Sequence, residues 1–434
     1  MKLKIRKSTI CEWLMLFLIF TYSFTKAGIH NYIYLNSIIS YISFALIAVL
    51  ACRVGAIPSL QRFSYLDIFL LLSCLILVLN RNNNFSHGEY EDGLSFITIA
   101  FFFVVVRSYN SWHRFIIPVM SLWVIIHTVV TILEYALPGF YMNNIFPLMP
   151  SYAEMHLRSV FKMGYMPGLA VHYSTNGMYL GVGLIVASTI LFFSLGKRKK
   201  GLLVGYVILV AIALLLTGKR ALVIFPVAAI IVAYYLYNSD KPIGRIGKLV
   251  LLLVVVVVAF VIGSNFIPSL SNFINRFAET SAAGDVSLGR LEQSAIALGI
   301  FKKNIIFGSG WDSFKYLYKA QFGSLLNVHN IYIQLLCENG IIGAVPFYCF
   351  FVYALSRTVN SLVYLRKNNP GENTAAELYL CFSISMQIFF LLYGMTGNPL
   401  YDQQVFYPYI VCVAAGEFYV NYVRNVKQGR LQIR

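Results

Sequence analysis

Leu249-Val-Leu-Leu-Leu-Val-Val-Val-Val-Val-Ala-Phe-Val-Ile-Gly-Ser-Asn-Phe266 is an apolar run without a single charge. About 20 such residues cross the hydrocarbon core of a bilayer as a helix. Lys241, Arg245 and Lys248 stand just before the run, and the polar stretch 267–330 follows it until the chain turns apolar again at Ile331. The rest of the chain repeats this alternation. With 59% hydrophobic residues, 12% charged and a mean hydropathy of +0.71, it is no water-soluble globule. The reading is an all-α polytopic membrane protein with about twelve transmembrane helices. They fall at 9–25, 32–51, 66–80, 93–106, 115–137, 177–195, 201–217, 221–237, 249–266, 331–356, 378–394 and 405–421.

A net charge of +17 invites a nucleic-acid reading, but the placement of the cations argues against it. Most of the basic residues fall on one side of the alternating spans. They include Lys2 to Lys7, Arg53 and Arg62, Arg107 and Arg114, Lys197-Arg-Lys-Lys200, Lys241 to Lys248, Arg366 and Lys367, and Arg424 to Arg434. That bias orients a chain with its basic loops inside, so both termini are expected in the cytoplasm, with no nucleic-acid partner. The basic N-terminus resembles a signal sequence, yet the chain re-enters lipid soon afterwards, so 9–25 reads as a retained first span. The seven cysteines lie in or beside spans with no CxxC pair, which predicts neither disulfides nor a zinc site.

On the outer side the connections are unequal. The stretch 138–176 is long and rich in Gly, Pro, Tyr and Met, and 267–330, between the ninth and tenth spans, is longest. A connection of that length is more than a turn. Within it, 269–282, 289–304 and 311–322 read as short helices lying on the bundle or the bilayer with their apolar faces down. The stripe Leu288, Leu291, Ala295, Leu298, Phe301 carries the second, and Phe314, Leu317, Tyr318, Phe322 the third. No internal repeat and no separate soluble domain is visible, so 1–434 forms a single transmembrane domain.

A few residues stand out against this background. The runs around Thr217-Gly218-Lys219-Arg220 form a hairpin whose tip points outward, and two cations there oppose the charge bias. Cations at such depth face a cavity or a partner, unless they merely snorkel to headgroups. Arg290, in Ser287-Leu-Gly-Arg290, adds a planar fork of donors suited to phosphate oxygens. Two such groups suit a diphosphate leaving group, on which charge builds as its bond breaks. Gly308-Ser-Gly310 is either a backbone nest for an anion or, as favoured, a turn. His329, just before a span, titrates near neutrality and can accept a proton from an attacking hydroxyl; the plainer reading is a helix start with Asn330 as its cap. Glu338 lies nine positions on, about two and a half turns away, and reads as structural. Glu134 and Asp402 are candidates for sugar contact, and the acidic cluster Glu89, Glu91, Asp92 is explained by a solvated loop. With no D-x-D in the outer segments and no HExxH, neither a metal nor a cofactor is expected.

Taken in order, these pieces resemble the O-antigen ligase and polymerase superfamily of membrane glycosyltransferases, most clearly over 205–345. Leu216-Thr-Gly-Lys-Arg220 is similar to the family's small-residue/Arg element, although Lys219 stands where Ser is frequent. Ser287-Leu-Gly-Arg290-Leu with Gly308-Ser-Gly310-Trp-Asp-Ser-Phe314 resembles its Gly-Arg…Gly-x-Gly block. His329-Asn330, followed by Glu338-Asn-Gly340 and Gly343, resembles its His-Asn…Glu-x-Gly signature, and His172 to Asn176 a looser upstream element. The resemblance implies a fold like the C-type glycosyltransferases and an undecaprenyl-diphosphate-linked oligosaccharide donor. It implies a glycan acceptor and metal-free transfer with inversion at the outer face of the cytoplasmic membrane. Arg220, Arg290 and His329 take the catalytic positions, His329 either activating the acceptor or binding the donor, with Lys219, Asn330, Gly308, Gly310 and His172 on the substrate. The expected activity is polymerisation of O-antigen or capsular repeat units, with membrane lipid and a chain-length regulator as further partners. Ligation of finished glycan to lipid A-core is the nearest alternative. A lipid-linked oligosaccharide flippase is disfavoured, because transporters gather ionisable groups at mid-membrane and show repeated halves.

Overall fold

The computed structural model describes residues 64–79, 112–193, 200–239, 289–368, 370–371 and 373–429, with the pairs 13–14, 16–17, 20–21 and 23–24. The expected spans at 32–51, 93–106 and 249–266, the helix at 269–282 and the acidic cluster at 89–92 lie outside the described residues, as do most of 9–25.

Every described element is helical. We number the α-helices α1 (Tyr65–Leu79), α2 (Ile116–Ala136), α3 (Pro138–Asn144), α4 (Glu154–Lys162), α5 (Tyr173–Phe193) and α6 (Lys200–Leu216). There follow α7 (Arg220–Tyr237), α8 (Arg290–Lys303), α9 (Phe314–Phe322), α10 (Ile331–Asn368), α11 (Thr374–Tyr393) and α12 (Gln403–Lys427). Among the described residues, five helices are long and apolar enough to cross a membrane: His113–Ala136, Tyr173–Phe193, Arg220–Tyr237, Ile331–Asn368 and Thr374–Tyr393. Tyr65–Leu79 and Lys200–Leu216 are shorter apolar helices. The protein is an integral membrane protein.

α5 and α11 form the centre. α5 lies against α2, α6, α7 and α11, and α11 against α7, α10 and α12. In lipid no hydrophobic force draws helices together, so close backbone approach and dispersion must do so. The α5 sequence provides for this with small residues on opposing faces. A Cβ on Gly183 would come within 2.6 Å of Val124 on α2, and one on Gly181 within 3.3 Å of Pro226 on α7. At the end of the bundle away from the long loop, ion pairs join α10 to its neighbours. Arg366 holds both carboxylate oxygens of Glu377 at 3.1 Å and lies 4.2 Å over the Tyr237 ring, while Arg357 reaches Glu417 at 2.7 Å.

α10 departs from the expected single span starting at 331. Gly340 has φ 61° and ψ −169°, which no helix contains, and divides it into arms 331–339 and 341–368. Tyr332 and Tyr348 lie eight positions before and after Gly340, and in a straight helix they would be about 24 Å apart. Instead the Tyr348 hydroxyl donates to the Tyr332 carbonyl at 2.6 Å, so the arms fold back on each other in a sharp V.

α8 also departs from expectation. Leu291 and Leu298 of the expected inward stripe are exposed, whereas Gln293 and Ala297 are buried. Ala297 joins a small cluster with Phe314, Val328 and Cys337, against which Ile296 and Ile300 pack. The helix carries two apolar stripes, and the one with the smaller side chain faces α10 because it permits the closer approach. On α9, Phe314 faces inward as expected.

Candidate active site

The tip of the α6–α7 hairpin is fixed from above. Met166 N–H donates to Leu216 O at 3.1 Å, the Thr217 hydroxyl donates to Leu214 O at 2.7 Å, and the Tyr165 ring covers Gly218. Lys219 therefore leaves the turn extended (φ −91°, ψ 98°) and Arg220 becomes the first residue of α7, both half-buried. The Lys219 ammonium lies 4.6 Å over the Tyr173 ring, so it has an aromatic partner rather than only headgroups.

Tyr173 belongs to a ladder of four stacked rings. Tyr165 and Tyr173 are 5.1 Å apart, Tyr173 and His172 4.4 Å, and His172 and His156 4.8 Å, all within 23° of parallel. His172 Nδ1 accepts from Ser174 N–H at 3.0 Å, which leaves the proton of a neutral ring on Nε2. Burial, then the charge of Lys219 and the neighbouring His156, lower the His172 pKa to about 4. The loop bearing His172 is tied down by side chains of the bundle. Glu134 accepts from Gly168 N–H at 2.7 Å, Tyr141 donates to Gly168 O at 2.6 Å, and Asn176 bonds Thr131 and Met166 O. Glu134 is fully buried, so the expected sugar contact is corrected to a loop anchor. Asp402 accepts from the Tyr393 hydroxyl at 3.2 Å.

Arg290 opens α8 behind Gly289, and His329 sits just before α10 with its ring reaching solvent. His329 has φ 53°, a strained position for a non-glycine residue. The following turn explains why it is held there. Asn330 Oδ1 caps α10 by accepting from Tyr332 N–H and Ile333 N–H, and Ile331 N–H donates to Gly394 O at 2.8 Å. The Asn330 oxygen expected on substrate is thus occupied as a cap. Partial burial, then the charges of Arg290 and Lys219, push the His329 pKa below its usual value, so the imidazole is neutral at neutral pH. Arg290 and Lys219 thus lie close enough to His329 to act on it electrostatically, Lys219 acts likewise on His172, and Arg220 follows Lys219 in the chain. His172 immediately precedes α5, Arg220 and Arg290 open α7 and α8, and His329 lies two residues before α10, so each stands at a helix N-terminus, where the backbone adds about half a positive charge.

Gly308 and Gly310 do not form the anion nest. Gly308 N–H donates to Asn304 O, Ser309 N–H to Cys337 O and Gly310 N–H to Glu338 O, at 2.8–3.0 Å. In return Ile341 N–H and Ile342 N–H donate to Ile305 O and Ile306 O. The loop thereby satisfies the backbone groups that the break at Gly340 releases. Contact is so close that a Cβ on Gly308 would lie 2.4 Å from the Glu338 carbonyl, and one on Gly340 2.3 Å from Ile306 O. Glu338, fully buried, completes the clamp: it accepts from Asp312 N–H at 2.8 Å, Phe314 N–H at 3.3 Å, Gln334 at 3.0 Å and the Tyr401 hydroxyl. Trp311 stacks on Tyr401 at 4.4 Å. The structural reading of Glu338 holds, but its reach to the segments of Asp312–Phe314, Gln334 and Tyr401 was not legible; an acid inside an apolar helix was the one signal. His156 carried no signal at all. Among the described residues no three His, Cys, Asp or Glu side chains group as a metal site.

Residues 205–348 match the family model Wzy_C, described as O-Antigen ligase, which bears out the resemblance over that segment. Comparison with curated proteins gives no match.

Proposed function

From an O-antigen ligase domain spanning residues 205–348, we propose that this protein polymerises undecaprenyl-diphosphate-linked repeat units of O-antigen or capsular polysaccharide at the outer face of the bacterial cytoplasmic membrane. The observation that carries the reading is the position of His329 just before α10, within electrostatic range of Arg290 and Lys219, which favour its neutral form. The guanidinium forks of Arg290 and Arg220 and the Lys219 ammonium hold the diphosphate of the donor. An acceptor hydroxyl gives its proton to His329 as its oxygen attacks the anomeric carbon. The bond from that carbon to the diphosphate oxygen breaks, the configuration inverts, and the new charge on the leaving group rests on the fixed cations. No covalent intermediate on the protein and no metal enter this scheme.

One observation favours a second reading. The matching family model is described as a ligase, and transfer of finished glycan to lipid A-core uses the same donor chemistry. A deletion strain separates the two: single-repeat glycan on the core marks a polymerase, and long carrier-linked chains without core attachment mark a ligase. The direct test is purified protein with a defined lipid-linked repeat unit. Ladder formation and carrier diphosphate release, both lost in His329→Ala, support the proposal; carrier-linked sugar that merely changes leaflet overturns it in favour of transport.

A further inference from the structure

The segment between α8 and α9 belongs to a polar connection, yet its tip carries apolar, solvent-accessible side chains. Ile305, Ile306 and Phe307 are 47%, 57% and 66% exposed, directly after Lys302 and Lys303. Ile305 and Ile306, large apolar side chains exposed side by side on a loop, mark an interaction surface. Two observations identify its partner. First, backbone bonds from Ile341 N–H and Ile342 N–H to Ile305 O and Ile306 O fix the tip beside the apex of the α10 V. Ile341 and Ile342 are themselves 46% and 52% exposed, and α1 adjoins them, Ile76 touching Gly343. The apolar tip is thus continuous with the surface that α1 and the long arm of α10 present to lipid. Second, the two lysines at the polar edge match phosphate headgroups in charge, and long basic side chains reach from an apolar seat to that level.

We propose that Ile305-Ile306-Phe307, with Lys302 and Lys303, is an interfacial anchor that dips into the leaflet at the site's end of the bundle and engages anionic headgroups. The anchor has a consequence for the site. The loop is bonded to the apex from which the short arm of α10 descends to His329, so insertion fixes the depth of His329 relative to the headgroups. A lipid-linked diphosphate is confined to that depth. The anchor rests on the membrane-spanning character of the chain and not on glycosyl transfer, so its test needs no activity.

The experiment places an environment-sensitive fluorescent amino acid at Ile306 by codon suppression and reconstitutes the protein in phosphatidylcholine vesicles with or without phosphatidylglycerol. Blue-shifted emission, quenched by lipids brominated near the headgroup end of the chain and sheltered from iodide, is expected. The shift should grow with phosphatidylglycerol and lose that growth in Lys302→Gln/Lys303→Gln. Aqueous emission quenched by iodide overturns the anchor, and blue-shifted emission that neither agent quenches overturns it in favour of a protein contact. An unchanged phosphatidylglycerol response in the double variant overturns the headgroup contact.

Discussion

Arg290 and His329 show how a side chain acquires a chemical role from its neighbours. A guanidinium offers two parallel donors that match two phosphate oxygens, so the use proposed for Arg290 is geometric. Arg290→Ala should lower turnover about 100-fold, the size expected when one donor to a developing anion is removed. Arg220→Lys should also lose rate, because an ammonium keeps the charge but not the fork. For His329 the sign of the pH dependence follows from its surroundings. Burial and two cations disfavour the imidazolium, so the base form persists below the usual histidine value of 6.5. The acid limb of kcat/KM, which reports the free protein, is therefore expected below pH 6.5. Lys219→Gln removes one of the opposing charges, raises the His329 pKa and should move that limb to higher pH in a pH–rate profile. At this scale the sequence identified the cations and the histidine by chemical type alone. It was silent on His156, a single histidine in a nine-residue amphipathic helix.

At the scale of elements, the break in α10 is what organises the site. The residues Glu338-Asn-Gly340-Ile-Ile read as ordinary apolar helix, because hydropathy averages over a window and does not register one glycine with positive φ. Only the docking of 305–310 supplies the partners that make breaking the helix affordable in free energy. Gly308→Ala places a methyl group 2.4 Å from the Glu338 carbonyl in a left-handed conformation, which alone costs about 1–2 kcal/mol. Its apparent melting temperature in detergent should fall, and activity with it. Glu338→Ala leaves two buried backbone N–H groups without their acceptor, at about 1–3 kcal/mol each, and should be the more damaging of the two. The inverted face of α8 has the same origin. Periodicity marks an apolar stripe, but which of two stripes turns inward is decided by the shape of the partner.

The whole molecule separates a chemical end from a stapled end. Arg366 and Glu377 are nearly inaccessible, and removing one partner of such a pair costs about 3–5 kcal/mol. Glu377→Ala should lower thermal stability in detergent while the rate per folded molecule, measured with active-fraction correction, stays unchanged. Opposite sidedness of the two ends is expected from the charge bias. In spheroplasts, Leu291→Cys should react with an impermeant maleimide, and Lys427→Cys should react only after permeabilisation. Sequence alone determined that this chain lives in lipid and how its charges are distributed between spans and loops, because transfer free energy and charge depend on residue type and hardly on context. Tertiary structure alone decided the fold-back of α10, the use of Gly308, Gly310 and Glu338 as a clamp, and the company His329 keeps. Those depend on backbone groups finding partners more than twenty residues away, and no local pattern encodes such a pairing.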